Sequence, residues 1–258
     1  MDSSETTQGE ACFGSPGSWA SGLNQSSADG RRADDLSALL CAHWQACSPS
    51  GPSLSLEQSR QLIEFAELLQ HWNRVHSLTA VEGLADTLQR HLIDALRAWP
   101  GLARRLADQA EPRCCDVGSG TGVPGLPLAL VMPGLQMDLV ERVARKAAFL
   151  RHAAARLGLA SRVGVHQQDV TRLSPSRPYE MIVSRAFAPL ENFLEWTFHL
   201  SGPGTTWLYM AGKLNEIKHL EGDRYQHPRL AGRLGELSVE AVGGSGPERH
   251  LIWIRRLS

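Results

Sequence analysis

From Arg113 to Arg255 the chain alternates short apolar runs with stretches of helical spacing, the signature of βαβ units building a parallel sheet. Strands are expected at 113–117, 136–140, 162–166, 180–184, 206–210 and 250–255. Helices are expected near 123–131, 142–157, 189–200 and 213–220, with Gly158 as the stop of the second. The run His250 to Arg255 has no helix after it and is expected to close a sheet edge by antiparallel pairing. Upstream, Leu62, Phe65, Ala66, Leu69 and Trp72 recur at helical spacing, and Ser55 with Gln58 three positions on forms a capping box. A second helix over 86–98 carries Leu88, Leu92, Ala95, Leu96 and Trp99 on one side. Residues 1–33 are rich in Ser, Gly, Gln and acidic side chains, too poor in apolar groups to offset the entropy of ordering, and are expected to be disordered. The division is therefore a 1–33 extension, a helical segment over 34–108 and an α/β domain over 109–258, a Rossmann-like sheet with helices on both faces.

At 258 residues, 42% hydrophobic and 21% charged, the chain has the composition of a packed globular enzyme. A formal net charge of -1 means that a nucleic-acid partner has to be held by a local cluster of Arg and Lys, not by the field of the whole molecule. The five cysteines, at 12, 41, 47, 114 and 115, contain no C-x-x-C pair and read as reduced packing residues; Cys114 and Cys115 point to opposite faces of a strand. No stretch approaches the roughly 20 apolar residues needed to span a bilayer, and no signal peptide opens the chain, so no membrane association is expected and the cytoplasm is the expected compartment.

The first predicted strand feeds Asp116-Val117-Gly118-Ser119-Gly120-Thr121-Gly122 and then a helix with Pro124 in its first turn. Glycines let the main chain approach a ligand where a Cβ would clash, and a helix N-terminus offers unpaired N–H donors to a carboxylate or phosphate. Gly120 to Gly125 also satisfies the dinucleotide pattern G-x-G-x-x-G, but there the first glycine should leave the strand directly, and here Gly118 does so. The frame favours D-x-G-x-G-x-G. Glu141 ends the second strand, where a carboxylate can accept both ribose hydroxyls; nicotinamide sites use the same device, so it does not discriminate. Asp169, after the third strand, stands where an adenine amino group meets an acceptor, and a solvated loop aspartate is an equal reading of it taken alone. Loop, Glu141 and Asp169 together point to an S-adenosyl-L-methionine site.

At these residues the sequence resembles the RsmG family, also called glucose-inhibited division protein B. The resemblance runs from about Leu62 to Arg255. It is carried by Trp72-Asn73 with Leu78-Thr79-Ala80, by Arg90-His91-Leu92-Ile93-Asp94-Ala95-Leu96, and by Asp116 to Leu128 with its Val123-Pro124-Gly125. Arg145-Lys146 with Phe149-Leu150, and Val183-Ser184-Arg185-Ala186-Phe187-Ala188, complete it. The resemblance implies a class I methyltransferase that uses S-adenosyl-L-methionine to methylate N7 of a guanine in 16S ribosomal RNA, with the RNA or the small ribosomal subunit as partner. Its cofactor contacts fall on Gly118, Val123, Val170 with Thr171, and Arg185, and Glu141 takes the ribose place by position. The chain departs from the family where Ser77 stands for Asn, Ala95 for Ser and Ala211 for Lys; the last puts an RNA contact in doubt, with Lys213, two residues on, the candidate to replace it if the loop bends suitably.

Guanine N7 exposes an in-plane lone pair, so its methylation needs alignment and no proton removal, and no catalytic base is assigned. Strand four ends in Ser184-Arg185-Ala186-Phe187 in place of the Asn/Asp-Pro-Pro-aromatic motif of exocyclic amine methylation, and no cysteine follows residue 115 to attack a pyrimidine. Arg185 is the candidate to reach cofactor or guanine carbonyl, against a surface ion pair; Phe187 is the candidate to stack on the base, against a core position. Arg142, Arg145, Lys146, Arg151 and Arg156 form a possible phosphate-binding helix face, against a merely solvated one, with Arg90-His91 near the cofactor mouth. His71 and His76 lie off metal-pair spacing, so no metal is expected, and the chain is read as a monomer. The rival readings are a methyltransferase acting on a small molecule or protein, a non-catalytic RNA-binding or ribosome-assembly factor on this scaffold and, more distantly, a nicotinamide oxidoreductase.

Overall fold

The computed structural model describes residues 30–212, 214, 220–221, 224–225, 227–242 and 249–258. Most of the 1–33 extension, Cys12 and Lys213 lie outside the described residues, as does most of the expected 213–220 helix.

Helix α1 spans Gly30–Cys47, beginning inside the stretch expected to be disordered, and α2 spans Leu56–His76. The capping box forms as read: Gln58 N–H donates to the Ser55 hydroxyl, and the Gln58 side chain accepts from Ser55 N–H at 3.0 Å. At its other end Ser77 adopts a left-handed conformation, φ 46°, and its N–H bonds the Asn73 carbonyl. The single helix expected over 86–98 is instead three pieces: α3 (Leu84–Thr87), a π-helical stretch (Leu88–Ile93) and α4 (Asp94–Leu96). Its apolar spacing fits either winding, so the wider turn is invisible to periodicity. A short α5, Trp99–Arg105, follows, an element that the sequence reading did not separate from the helical segment.

The sheet then builds through β1 (Arg113–Val117), α6 (Gly125–Val131), β2 (Gln136–Val140), α7 (Ala144–Arg156), β3 (Val163–His166), β4 (Tyr179–Arg185), α8 (Leu190–Thr197) and β5 (Ser201–Ala211). After these come a two-stranded ribbon, β6 (Leu220–Glu221) and β7 (Arg224–Tyr225), and then β8 (Leu234–Ala241) and β9 (His250–Arg256). The main sheet has the order β3-β2-β1-β4-β5-β9-β8. Its first five strands are parallel, and β9 runs antiparallel to both β5 and β8. The last strand therefore pairs antiparallel as expected but does not close the edge, because the unread β8 lies outside it. Proline at 124 sits one residue before α6, as its N-cap.

Cys114 and Cys115 face opposite sides of the sheet, one in each of the two hydrophobic clusters, and both thiols are pushed well up by burial. The larger cluster runs without a break from Leu40 and Phe65 in the helical segment to Leu139 and Trp253 in the sheet. Phe149 of α7 is the joint, in ring contact with Phe65 and edge-on to Trp72 at 5.6 Å. None of the described helices is long and apolar enough to cross a membrane.

Candidate functional site: a cleft at the strand reversal

Strand order reverses between β1 and β4, and open parallel sheets bind ligands outside the carboxyl ends of the strands at such a reversal. A cleft of about 490 Å³ opens there, walled by Gly118 to Thr121, Val123, Arg185 and Ala186 on the sheet side and by Thr79, Arg90, His91 and Asp94 on the helical side. Two larger hollows, of about 800 and 870 Å³, lie elsewhere, so size alone does not locate the site.

The glycine loop has the conformation that its composition demands. Gly118 and Gly122 have φ of 71° and 82°, in the region that side chains avoid. A Cβ on Gly118 would run into the Phe187 ring, and one on Gly122 into Leu126 and Leu150. Four of the loop's amides, however, are used internally. Gly118 and Ser119 donate to the Val140 carbonyl, Gly120 to Glu141 Oε2 at 3.0 Å and Gly122 to the Ser119 carbonyl. At the start of α6, Gly125 N–H is taken by Asp116 Oδ2 at 3.0 Å and Leu126 N–H by the Gly122 carbonyl. The expectation of a helix end open to a carboxylate or phosphate is thus corrected: those donors are already bonded, and the loop presents a close main-chain surface. Burial pushes the Asp116 carboxyl up to about 7, with the Gly125 N–H pulling the other way.

Of the residues expected at the cofactor, Gly118, Val123 and Arg185 line this cleft. Glu141 is buried behind the loop, its second oxygen accepting Val143 N–H at 2.7 Å, so both oxygens meet main-chain donors where ribose hydroxyls were expected. Val170 is buried at the head of a short 3-10 turn, and Thr171 beside it is exposed. Asp169 caps that turn, its Oδ1 accepting both the N–H and the hydroxyl of Thr171, which holds its carboxyl below the usual value.

The Ser184-to-Ala188 run divides its labour. The buried Ser184 hydroxyl donates to the Val117 carbonyl at 3.1 Å, tying the ends of β4 and β1 together. Ala186 turns the chain through a left-handed conformation, φ 54°, and the Ala188 carbonyl accepts from the Tyr209 hydroxyl at 3.0 Å. Phe187 returns over Gly118 and meets Trp196 edge-on at 5.9 Å, so its ring is already packed. Arg185 is no surface ion pair: its side chain is 19% exposed, with Asp94 Oδ2 at 3.6 Å and His91 Nδ1 at 3.1 Å. Burial lowers the Arg185 pKa, opposed by Asp94 and Asp116. Asp94 carries two more cations, Arg249 at 3.3 Å and Arg97 at 4.0 Å. Asp94 and Arg249 were given no role by the sequence reading; Asp94 lies in a quoted motif, but its partners are 91 and 155 positions away, beyond any local signal.

On α7, Arg156 pairs with Glu64 and Arg151 reaches Gln167, so these two members of the expected phosphate face have partners within the protein. Arg142 and Arg145 are exposed, and Lys146 reaches the cleft. Ala211 also lines it. Among the described residues no cluster of three metal-ligating side chains occurs.

A glycine loop at the β1/β4 reversal of a parallel sheet that ends in antiparallel strands defines the class I methyltransferase fold. Solved structures agree at the level of fold. The N-methyltransferase NodS from Bradyrhizobium japonicum WM9, in complex with S-adenosyl-l-homocysteine, superposes with a TM-score of 0.51 at 14% identity, over 74% of this chain and 99% of that one. A putative O-methyltransferase from Klebsiella pneumoniae gives 0.50 at 15%, over 75% and 90%. Residues 58–241 match the family model described as rRNA small subunit methyltransferase G. The Ribosomal RNA small subunit methyltransferase G of Acidovorax sp. (strain JS42) is 36% identical over 80% of this chain and 90% of its own length. That of Paracidovorax citrulli (strain AAC00-1) is 37% identical over 86% and 91%. The chain belongs to the rRNA small subunit methyltransferase G family.

Proposed function

We propose that the cleft binds S-adenosyl-L-methionine and that the protein transfers its methyl group to N7 of a guanine in 16S ribosomal RNA, in the cytoplasm and as a monomer. The observation that carries this reading is the main chain of Gly118 to Thr121, which walls the cleft at the strand reversal beside Arg185 and is tied from behind by the Gly120 to Glu141 bond. Gly118 and Val123 would bound the methionine end, Arg185 would donate to its carboxylate or to the guanine carbonyl, and Glu141 with the Val170-Thr171 turn would border ribose and adenine. The cofactor supplies an electrophilic methyl; the protein's residues orient the acceptor and exclude water. The side chains on the helical wall fit an acceptor that needs no base. The Asp94 carboxylate is held by arginines and His91 Nδ1 faces Arg185, so neither is offered to a substrate proton. Arg142, Arg145, Lys146 and Arg90 would meet RNA phosphates around the mouth.

Methyl transfer from labelled cofactor onto 30S subunits and onto free 16S RNA, followed by mass mapping, tests the reading. Label in N7-methylguanine is the expected result. Cofactor binding by calorimetry without transfer to either RNA would point to a different acceptor, and no cofactor binding at all to a non-catalytic scaffold.

A further inference from the structure

The two motifs of the helical segment, Asn73 to Ala80 and Arg90 to Leu96, are left unexplained by cofactor contacts, yet they converge on one strand-end side chain. Arg185 has three partners across the cleft, and all come from the stretch Arg90 to Asp94: the Arg90 carbonyl at 3.5 Å, His91 Nδ1 at 3.1 Å and the Asp94 carboxylate at 3.6 Å. Arginine only donates, so His91 Nδ1 accepts. The ring proton is then on Nε2, which donates to the Thr79 hydroxyl at 3.2 Å. That hydroxyl also accepts Val81 N–H at 3.1 Å, and Thr79 N–H is held by Asn73 Oδ1 at 2.8 Å. Burial first, then the charges of Arg185 and Arg90, push the His91 pKa down to about 4, which keeps the ring neutral and able to accept. His91, in the π-helical stretch, and Asp94, just after it, both line the cleft, and such stretches recur at functional sites.

We propose that His91 and Asp94 are positioning residues that aim the Arg185 guanidinium into the cleft, with Asn73 and Thr79 fixing the imidazole, so that the helical segment is part of the transfer site. This rests on the reading of the cleft given above. The geometry requires an acceptor at the Nδ1 place of residue 91. His91→Asn puts a side-chain oxygen near that place. His91→Gln puts its amide near the Nε2 place instead, and His91→Phe keeps the ring without any acceptor.

The test measures cofactor affinity by calorimetry, methyl transfer to 30S subunits as kcat and KM, and thermal midpoint, for the wild type and these three variants. Transfer efficiency is expected to fall about ten- to a hundredfold in His91→Phe and His91→Gln, as loss of a hydrogen bond to a charged group predicts, and to recover to within about threefold of the wild type in His91→Asn. The thermal midpoints are expected not to follow that order. Asp94→Asn, which keeps an oxygen but loses the charge, is expected to fall between the two groups. Should His91→Phe not fold, the Asn and Gln pair decides the matter. Equal transfer by Asn and Gln variants, or activity that simply tracks stability, overturns the proposal. A wild-type protein that binds no cofactor overturns the reading of the cleft itself; a wild type that binds and transfers beside an unaffected His91→Gln overturns only the positioning role.

Discussion

Two arginine–aspartate clusters with equally covered arginines behave as opposites. Arg113 meets Asp138 at 3.0 Å and Arg185 meets Asp94 at 3.6 Å, each arginine side chain being 19% exposed. Around Asp138 the donors are close and varied: His166 and the Tyr179 hydroxyl, both at 2.7 Å, join Arg113. Burial alone would raise the Asp138 pKa, but these hydrogen bonds outweigh it and hold the carboxyl below its usual value. Around Asp94 there are three guanidinium groups, at 3.3 to 4.0 Å, and the cluster opens on a cleft. The first cluster has its charges matched and serves the sheet. The second sets three guanidinium groups around one carboxylate at longer range, at the edge of a cleft rather than inside the sheet.

Asp138→Ala is expected to give the largest effect, a loss of about 3–5 kcal/mol of stability, because a covered arginine is left without its counter-ion. Denaturant unfolding measures it, and cofactor affinity of the folded fraction should stay within about twofold. An equal loss of affinity would erase the contrast between the clusters. Arg185→Ala should show the reverse profile, with transfer to 30S subunits down about ten- to a hundredfold and a small stability change, since it relieves a crowd of like charges. A third carboxylate, Asp116, sharpens the comparison through pH. Its folded pKa of about 7 lies above the usual 3.8, so the fold prefers the protonated form. That contribution is full below about 3.8 and is lost as pH rises through 7. Asp116→Asn should therefore compare better with the wild type at pH 8 than at pH 5 in denaturant titrations; a pH-independent difference would show that Asp116 titrates normally. The smallest effect is expected from Ser77→Asn, which places a residue suited to left-handed backbone at the φ 46° cap and should add about 0.5 kcal/mol without touching transfer.

The elements that could be read in advance were those whose signal is local. The Ser55-Gln58 box, the frame of the glycine loop and the Gly158 stop, φ 69°, all formed where they were read, because each depends on residues within a few positions. Strands β1 and β2 matched residue for residue, their apolar runs being bounded by turn signals. Strand β8 escaped because Gly235 and Glu240 dilute its apolar character and its register shifts between Leu234 and Leu237. The site was legible as a list of residues but not as a geometry. That Glu141 would bond its own loop, that Phe187 would cover Gly118, and that Arg185 would answer to His91 and Asp94 depend on contacts 21, 69 and more than 90 positions apart.

The placement of β9 between β5 and β8 bears on how the molecule can be made. Translation delivers β8 before β9, its neighbour in the main sheet, so until β9 is made the β5 edge is unpaired and β8 has no strand of that sheet beside it. Trp253, 1% exposed and covered by the Arg105 guanidinium at 3.9 Å, also leaves the ring pocket beside α5 unfilled until then. The sheet therefore cannot be completed before residues 250–256 are made, and a chain cut short ahead of residue 250 would leave the β5 edge open to aggregation.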